Sequence, residues 1–432
     1  MAAAGPSQLS LRLPRALLDP GLRELGCGDA DGLVAVRLQL SDGRIAAITP
    51  HPAKPGAVDP LPLAITPPVD PHVHLDKAFS WPAFPNRDGT MAAALALNLR
   101  EGQQRTLAQV LERGERALEL AWRYGLRALR SHVDSGGPCA QPSWEALLAL
   151  QQRWRGRVEL QLVALAPLQC WQTPEGLALA RRVAAASGLL GGVLGPPYPR
   201  DRGDRPALQG LLRLAAELGC GVDLHVDEAA TAPAHGLRLL VELLEQGRPP
   251  VPITCSHASS MGLLRPEPQR RLAERLAALE LSVVTLPTTN FWLLGRRGGL
   301  TTPERPLAPV RALQRAGVPV ALGADNVQDP WYPAGDFDPL ELIRLSHRAA
   351  HSTLWTGQGL MPCTTVPARM LGLAWDGVVR PGAPADLLIT NAGSWSALMA
   401  RPPRRRVLRA GAWLEPPQSE QVDPVLASLG AR

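Results

Sequence analysis

Thr66-Pro67-Pro68-Val69-Asp70-Pro71-His72-Val73-His74-Leu75-Asp76-Lys77 directly follows the apolar run Leu61 to Ile65. In an extended segment, residues i and i+2 project from the same face. His72 and His74 therefore aim both imidazoles at one point just past a strand end, where a divalent metal can sit. A His-x-His pair alone is a weak signal. The rest of the chain strengthens it. Single His or Asp residues recur at the ends of later strand-like runs, in Asp223-Leu224-His225-Val226-Asp227-Glu228, Thr254-Cys255-Ser256-His257 and Gly323-Ala324-Asp325-Asn326. Four such strand ends converging on one metal would make an enzyme active site.

Outward from this stretch, short apolar runs alternate with amphipathic segments. The strand candidates are Leu63–Val69, Leu126–His132, Glu159–Ala164, Gly191–Leu194, Gly221–His225, Ile253–His257, Ser282–Leu286 and Pro319–Gly323. Helix-like stretches with apolar spacing near 3.6 lie between them: Leu107–Trp122, Trp144–Trp154, Pro174–Ala186, Leu208–Leu218, Leu237–Glu245 and Pro268–Leu279. Eight strand–helix units predict an α/β fold, a (β/α)8 TIM-like barrel rather than an open doubly wound sheet. A barrel further demands that catalytic groups sit at strand C-termini. The His and Asp residues above sit there.

The flanks have a different pattern. Gly32–Ile48 reads as a β-hairpin with an Asp42-Gly43 turn. Gly377–Thr390 and Arg406–Leu414 are also strand-like, the second with a turn at Ala410-Gly411-Ala412. Both ends are expected to form one small β-sandwich, from residues 1–62 and 376–415, beside a barrel spanning 63–375. Residues 416–432 read as a poorly ordered tail.

The chain has 432 residues, enough for one barrel and a smaller unit, and its 45% apolar and 19% charged fractions suit a globular protein. Its net charge is +6 and its pI about 9.3. Lysine occurs only at Lys54 and Lys77, leaving 43 arginines spread over nearly every helix-like segment. The one basic cluster, Arg404-Arg405-Arg406, is short and reads as a solvated face, so no nucleic-acid partner is expected. Cys27, Cys139, Cys170, Cys220, Cys255 and Cys363 are scattered with no Cys-x-x-Cys pair, which fits a reducing cytoplasm. Pro6, Arg12, Pro14 and Arg15 interrupt the first 18 residues, and no run has the ~18 uncharged apolar residues of a membrane span.

With the strand ends placed, the motifs resemble the amidohydrolase superfamily and, within it, the bacterial cytosine deaminase branch. The resemblance is carried by Asp70-Pro71-His72-Val73-His74-Leu75-Asp76, Arg130-Ser131-His132-Val133-Asp134, His225-Val226-Asp227-Glu228 and Ser256-His257. Its longest motif is Gly323-Ala324-Asp325-Asn326-Val327-Gln328-Asp329-Pro330-Trp331-Tyr332-Pro333, and Gly382-Ala383-Pro384-Ala385-Asp386-Leu387-Leu388-Ile389 looks like a return strand of the accessory β-domain. The resemblance implies that His72, His74, His225 and Asp325 hold one divalent metal, Zn²⁺ or Fe²⁺. It also implies a hydroxide nucleophile made from water at that metal, with Glu228 as general acid/base. His257 would hydrogen-bond the hydroxide or the developing oxyanion, and Asp325 could relay a proton to the departing amine. Gln169, Asn326, Trp331 and Lys77 are the candidate substrate contacts. No lysine follows residue 77, so a site bridged by a mid-barrel carboxylated lysine is excluded by composition.

Plainer readings stand beside these. His132 reads better as ordering its loop than as a ligand, since the ligand set is already full. Trp331 reads equally as barrel-mouth packing or as a surface for the substrate ring. Lys77 reads as a salt-bridge partner or a substrate contact, and Asp134 and Asp329 as acceptors for histidine ring nitrogens. The resembled branch typically carries two aspartates at the eighth strand end, where this chain has Asp325-Asn326. An amide donates as well as accepts, so the face offered to substrate differs. The expected reaction is hydrolytic deamination of a small N-heterocycle, with cytosine or a related aminopyrimidine the first choice. Hydrolysis of an N-substituted aminotriazine or a cyclic amide or amidine is the enzymatic alternative. A barrel without catalysis, serving in binding or assembly, is the other. A homo-oligomer is left open.

Overall fold

The computed structural model describes residues 5–25, 28–52, 61–197, 203–296, 300–301, 304–356 and 358–414. The expected tail therefore lies outside the described residues. Eight parallel strands form the central sheet: Val69–Val73, Ala128–Asp134, Glu159–Leu165, Leu189–Leu194, Val222–Val226, Ile253–His257, Ser282–Thr285 and Val320–Leu322. They are hydrogen-bonded in sequence order. The circle closes where Asp325 N–H donates to the His72 carbonyl at 2.9 Å, with a parallel bridge between Val73 and Asp325. This is the (β/α)8 barrel expected from the alternation.

The first barrel strand differs from its sequence reading. Ala64–Ile65 pairs antiparallel with Leu387–Thr390 in another sheet, not with the barrel. Pro67 and Pro68 then interrupt the chain; neither can donate a ladder hydrogen bond. The barrel strand starts only at Val69, and its pairing with the second strand shifts register between Asp70 and Val73, around Pro71. His72 therefore lies inside the strand rather than past its end.

Helices cover the barrel because their apolar residues recur every three or four positions. Leu107–Tyr124 buries Val110, Gly114, Ala117, Leu118 and Ala121. It begins in a capping box between Thr106 and Gln109 and ends at Gly125, whose φ of 92° suits a residue without Cβ. Gly191 on the fourth strand permits close strand approach. A Cβ there would lie 2.8 Å from the Ala164 carbonyl oxygen and 2.9 Å from that of Asp223. Trp144, Trp154 and Trp171 are fully buried fillers between barrel and helices.

Both chain ends build the β-sandwich, as expected, but in two separate sheets. One holds Gln8–Pro14, Leu33–Ser41 and Arg44–Pro50; the other holds Ala64–Ile65, Leu387–Thr390, Arg405–Arg409 and Ala412–Trp413. Leu11, Val36, Leu38, Ile45, Leu387 and Leu408 share one core between them. Asp42 and Gly43 both adopt positive φ, 51° and 71°, as the hairpin turn requires. The strand Gln8–Pro14 has no counterpart in the sequence reading, although Gln8-Leu9-Ser10-Leu11-Arg12-Leu13 alternates polar and apolar residues as a half-buried strand does. Among the described residues the cysteines are free, and no helix is long and apolar enough to cross a membrane.

Candidate active site

Side chains two apart on a strand share a face, so the barrel interior is built in layers. His72, His132 and His225 come from the first, second and fifth strands, and His257 ends the sixth. All four are at most 5% exposed. The His72 and His132 rings stack with centroids 3.8 Å apart, and His225 lies 4.7 Å from His72 and 4.8 Å from His132. His74, just past the first strand, sits with Nε2 3.3 Å from Asp325 Oδ1; His72 Nε2 is 3.5 Å from the same oxygen. Asp325 and His257 reach the cluster through backbone turned into the left-handed region, at φ 65° and 69°. Such conformations cost energy in non-glycine residues and collect at functional sites.

Burial decides the charge states. Desolvation, then the neighbouring imidazoles, holds His72, His132 and His225 well below the usual histidine range. His74 falls to about 3, first through burial and then through the Lys77 ammonium. His257 also falls to about 3, because burial outweighs the opposing pull of Asp325. Burial therefore favours the uncharged form of these imidazoles, in which one ring nitrogen of each has a lone pair. Glu228 is pushed well above the usual carboxylate range by burial and then by Asp325. Its Oε2 stands 3.6 Å from His257 Nε2.

The donor set fits a metal ion. His72 Nε2, His225 Nδ1, His257 Nε2, both ring nitrogens of His132 and both oxygens of Asp325 are buried without a hydrogen-bond partner. Buried polar atoms are rarely left unpaired, because desolvation without compensation is costly. Two trios, His72–His132–His225 and His72–His257–Asp325, each offer ligand atoms within 4.8 Å of one another. A divalent cation would satisfy several of these atoms at once.

A cavity of about 170 Å³ opens over the cluster, lined by His74, His225, Glu228, His257 and Asp325, with Asn326, Trp331 and Lys77 around it. Trp331 packs on Ala94, Leu293 and Leu294, and its Nε1 is buried without a partner. Lys77 is buried and donates to Asp134 at 2.7 Å while lying 3.4 Å from His74 Nδ1. Asn326 donates to Asp329 at 2.7 Å.

Gln169 is not brought to the cavity. The chain leaves the third strand through Pro167 into the turn Leu168–Gln172, where Gln169 is exposed and donates to Asp204 at 3.3 Å. Leu165, Ala166 and Pro167 form that wall instead, and it is apolar. Asp134 and Asp329 also differ from their reading, since neither accepts from a histidine ring. Asp134 accepts from Lys77, Arg105 and Asn98, and Asp329 from Asn326 and the backbone of Trp331 and Tyr332. His132 lies inside the histidine cluster rather than in a loop. Two residues escaped the sequence reading altogether. Asn98, on helix Met91–Gln104, lines the cavity with an unpartnered carbonyl oxygen. Asn290, on Pro287–Leu293, contacts His257 Nδ1 at 3.1 Å. Asn290 follows the seventh strand end, so the barrel rule could have marked it.

Parallel strands that deliver imidazoles and carboxylates to one mouth define the class: a (β/α)8-barrel hydrolase with a histidine-rich site able to hold a metal ion. A model of the amidohydrolase family matches residues 88–414. A pterin deaminase of Rhizobium rhizogenes (strain K84 / ATCC BAA-868) is 31% identical over 410 residues, covering 92% of each chain. N-isopropylammelide isopropyl amidohydrolase of Pseudomonas sp. (strain ADP) is 25% identical over 331 residues, covering 75% of this chain and 78% of that protein. The crystal structure of 5-methylcytosine deaminase from Klebsiella pneumoniae, liganded with 5-fluorocytosine, matches with a TM-score of 0.78 at 27% identity. That match covers 96% of this chain and 98% of the other. The chain belongs to the amidohydrolase family and is a hydrolase acting on carbon–nitrogen bonds.

Proposed function

We propose that this protein is a metal-dependent deaminase that hydrolyses the exocyclic amino group from the aminopyrimidine ring of a small N-heterocycle. The observation that carries the reading is the set of unpartnered buried imidazole and carboxylate atoms facing Glu228 across one cavity. His72, His74, His225 and Asp325 are the assigned ligands of one Zn²⁺ or Fe²⁺. When bound, that ion supplies Lewis acidity and lowers the pKa of a water molecule. Glu228 accepts a proton from the water and passes it to the ring nitrogen beside the amino-bearing carbon. His257 hydrogen-bonds the oxygen that adds to that carbon, and Asp325 takes that oxygen's remaining proton and hands it to the amino group, which departs as ammonia. Trp331 offers a flat face to the ring, while Asn326 and Lys77 contact its polar edge. An aminopyrimidine ring is common to 5-methylcytosine and, in fused form, to pterin, which supports it as the shared recognition unit.

The testing experiment measures ammonia release from cytosine, 5-methylcytosine and pterin, before and after chelation. Activity should vanish with chelation and return with Zn²⁺ or Fe²⁺. No release from any of them by metal-loaded protein would overturn the reading. The likeness to an N-isopropylammelide isopropyl amidohydrolase favours one alternative, an N-substituted aminotriazine. Faster release of isopropylamine from N-isopropylammelide than of ammonia from the three rings would select it.

A further inference from the structure

Beneath the histidines lies a second polar layer that the reaction does not use. Register places Ser256 beside His225 and Thr254 beside Asp223, while Arg130 precedes His132 by two residues. Arg130 and Asp223 are therefore one layer further into the barrel, where branched apolar residues are the rule. Arg130 is 1% exposed and Asp223 0%. A buried ion pair contributes little net stability against apolar packing of the same volume, so its presence calls for another role.

Counting protons supplies one. Arg130 Nη1 donates to Asp223 Oδ2 at 2.8 Å, and a guanidinium stays charged, so Asp223 faces it as a carboxylate acceptor. Asp223 Oδ1 accepts from Ser256 Oγ at 2.7 Å. That uses the only proton of the Ser256 hydroxyl. The 2.9 Å contact between Ser256 Oγ and His72 Nδ1 must then be a donation from the imidazole. A neutral imidazole has one N–H, so Nε2 keeps its lone pair, 3.5 Å from Asp325 Oδ1 and without a hydrogen-bond partner.

We propose that Ser256, Asp223 and Arg130 are positioning residues that hold His72 in its Nδ1–H tautomer and keep Nε2 bare for the metal. The metal part of this inference rests on the proposed function; the tautomer part does not. Asp223→Asn provides the sharpest test. Its amide donates to Ser256, the freed hydroxyl proton turns to His72 Nδ1, and the imidazole proton is displaced to Nε2. In metal-free protein carrying ¹⁵N-labelled histidine, the His72 ring should switch from the Nδ1–H to the Nε2–H pattern, its signal identified by loss in His72→Gln. Zn²⁺ affinity, read by competition with a chelator, should fall roughly 10–100-fold. Ser256→Ala keeps the ion pair, serves if Asp223→Asn fails to fold, and should give mixed tautomers with about 10-fold weaker binding. A wild-type Nε2–H pattern, or folded variants that keep the wild-type pattern and affinity, would overturn the inference. Wild-type protein with the Nδ1–H pattern that binds no Zn²⁺ would support the tautomer assignment and overturn the metal-dependent reading instead.

Discussion

Glu228 and His225 sit three residues apart at one strand end, yet substitution should separate their parts. Glu228→Gln preserves shape and removes the proposed proton carrier, so metal content should hold while kcat falls by roughly 10²-fold or more. His225→Ala deletes a proposed ligand atom and should instead deplete the metal, as elemental analysis would read. Equal metal loss in both variants, or near-normal turnover in Glu228→Gln, would contradict this division. The two residues were legible in the sequence by different routes. His225 closes a strand-like run, where a barrel strand presents its side chain to the mouth, whereas Glu228 entered through the motif shared with the resembled family. Gln169 was named from the resembled family's glutamine after the third strand, but here a proline and a short helical turn follow that strand and swing it to the surface. His132 was undervalued because a complete ligand set seemed to leave it no work; burial against His72 is a tertiary fact that spacing does not encode.

At the scale of elements, alternation located seven of the eight barrel strands, sharing only Val69 with the first, and placed six long amphipathic helices to within a few residues. The elements missed include the alternating strand Gln8–Pro14 and the amphipathic helix Pro339–Ala349 as well as less regular ones. Met91–Gln104 buries only Ala94, Glu101 and Gly102, so it lacks the apolar stripe that announces a helix. Leu63–Val69 was joined into one strand because the apolar run continues through residues that in fact serve two sheets. Gly191 shows what the strand packing demands. Any added Cβ meets main-chain oxygens of both neighbouring strands, and main chain cannot move aside as a flexible side chain can. Gly191→Ala should destabilise the barrel by about 1–3 kcal/mol in chemical denaturation. One of those oxygens belongs to Asp223, so the variant should also weaken metal retention. Wild-type stability would show that the strands yield there.

In the whole molecule, the sandwich and the barrel share more than a linker. Arg409, on a sandwich strand, donates to the main-chain oxygens of Gly125 and Leu126 at 3.0 and 2.7 Å, just before the second barrel strand. Arg127, at the same entry, lies over Trp375 and donates to its carbonyl at 2.7 Å. The sandwich strand Ala64–Ile65 runs through two prolines straight into the strand bearing His72. Loss of the sandwich would therefore disturb the segment that carries the first two proposed ligands. Ligand binding stabilises only the states that keep the site, by about 2.7 kcal/mol when free metal is 100 times its Kd. For a chain of this length that corresponds to a rise in Tm of about 3 °C. If the two units unfold together, calorimetry should show one transition, and added Zn²⁺ should shift all of it. Two transitions, with only the barrel's moved by metal, would mean that the sandwich melts independently and that these contacts do not couple it to the site.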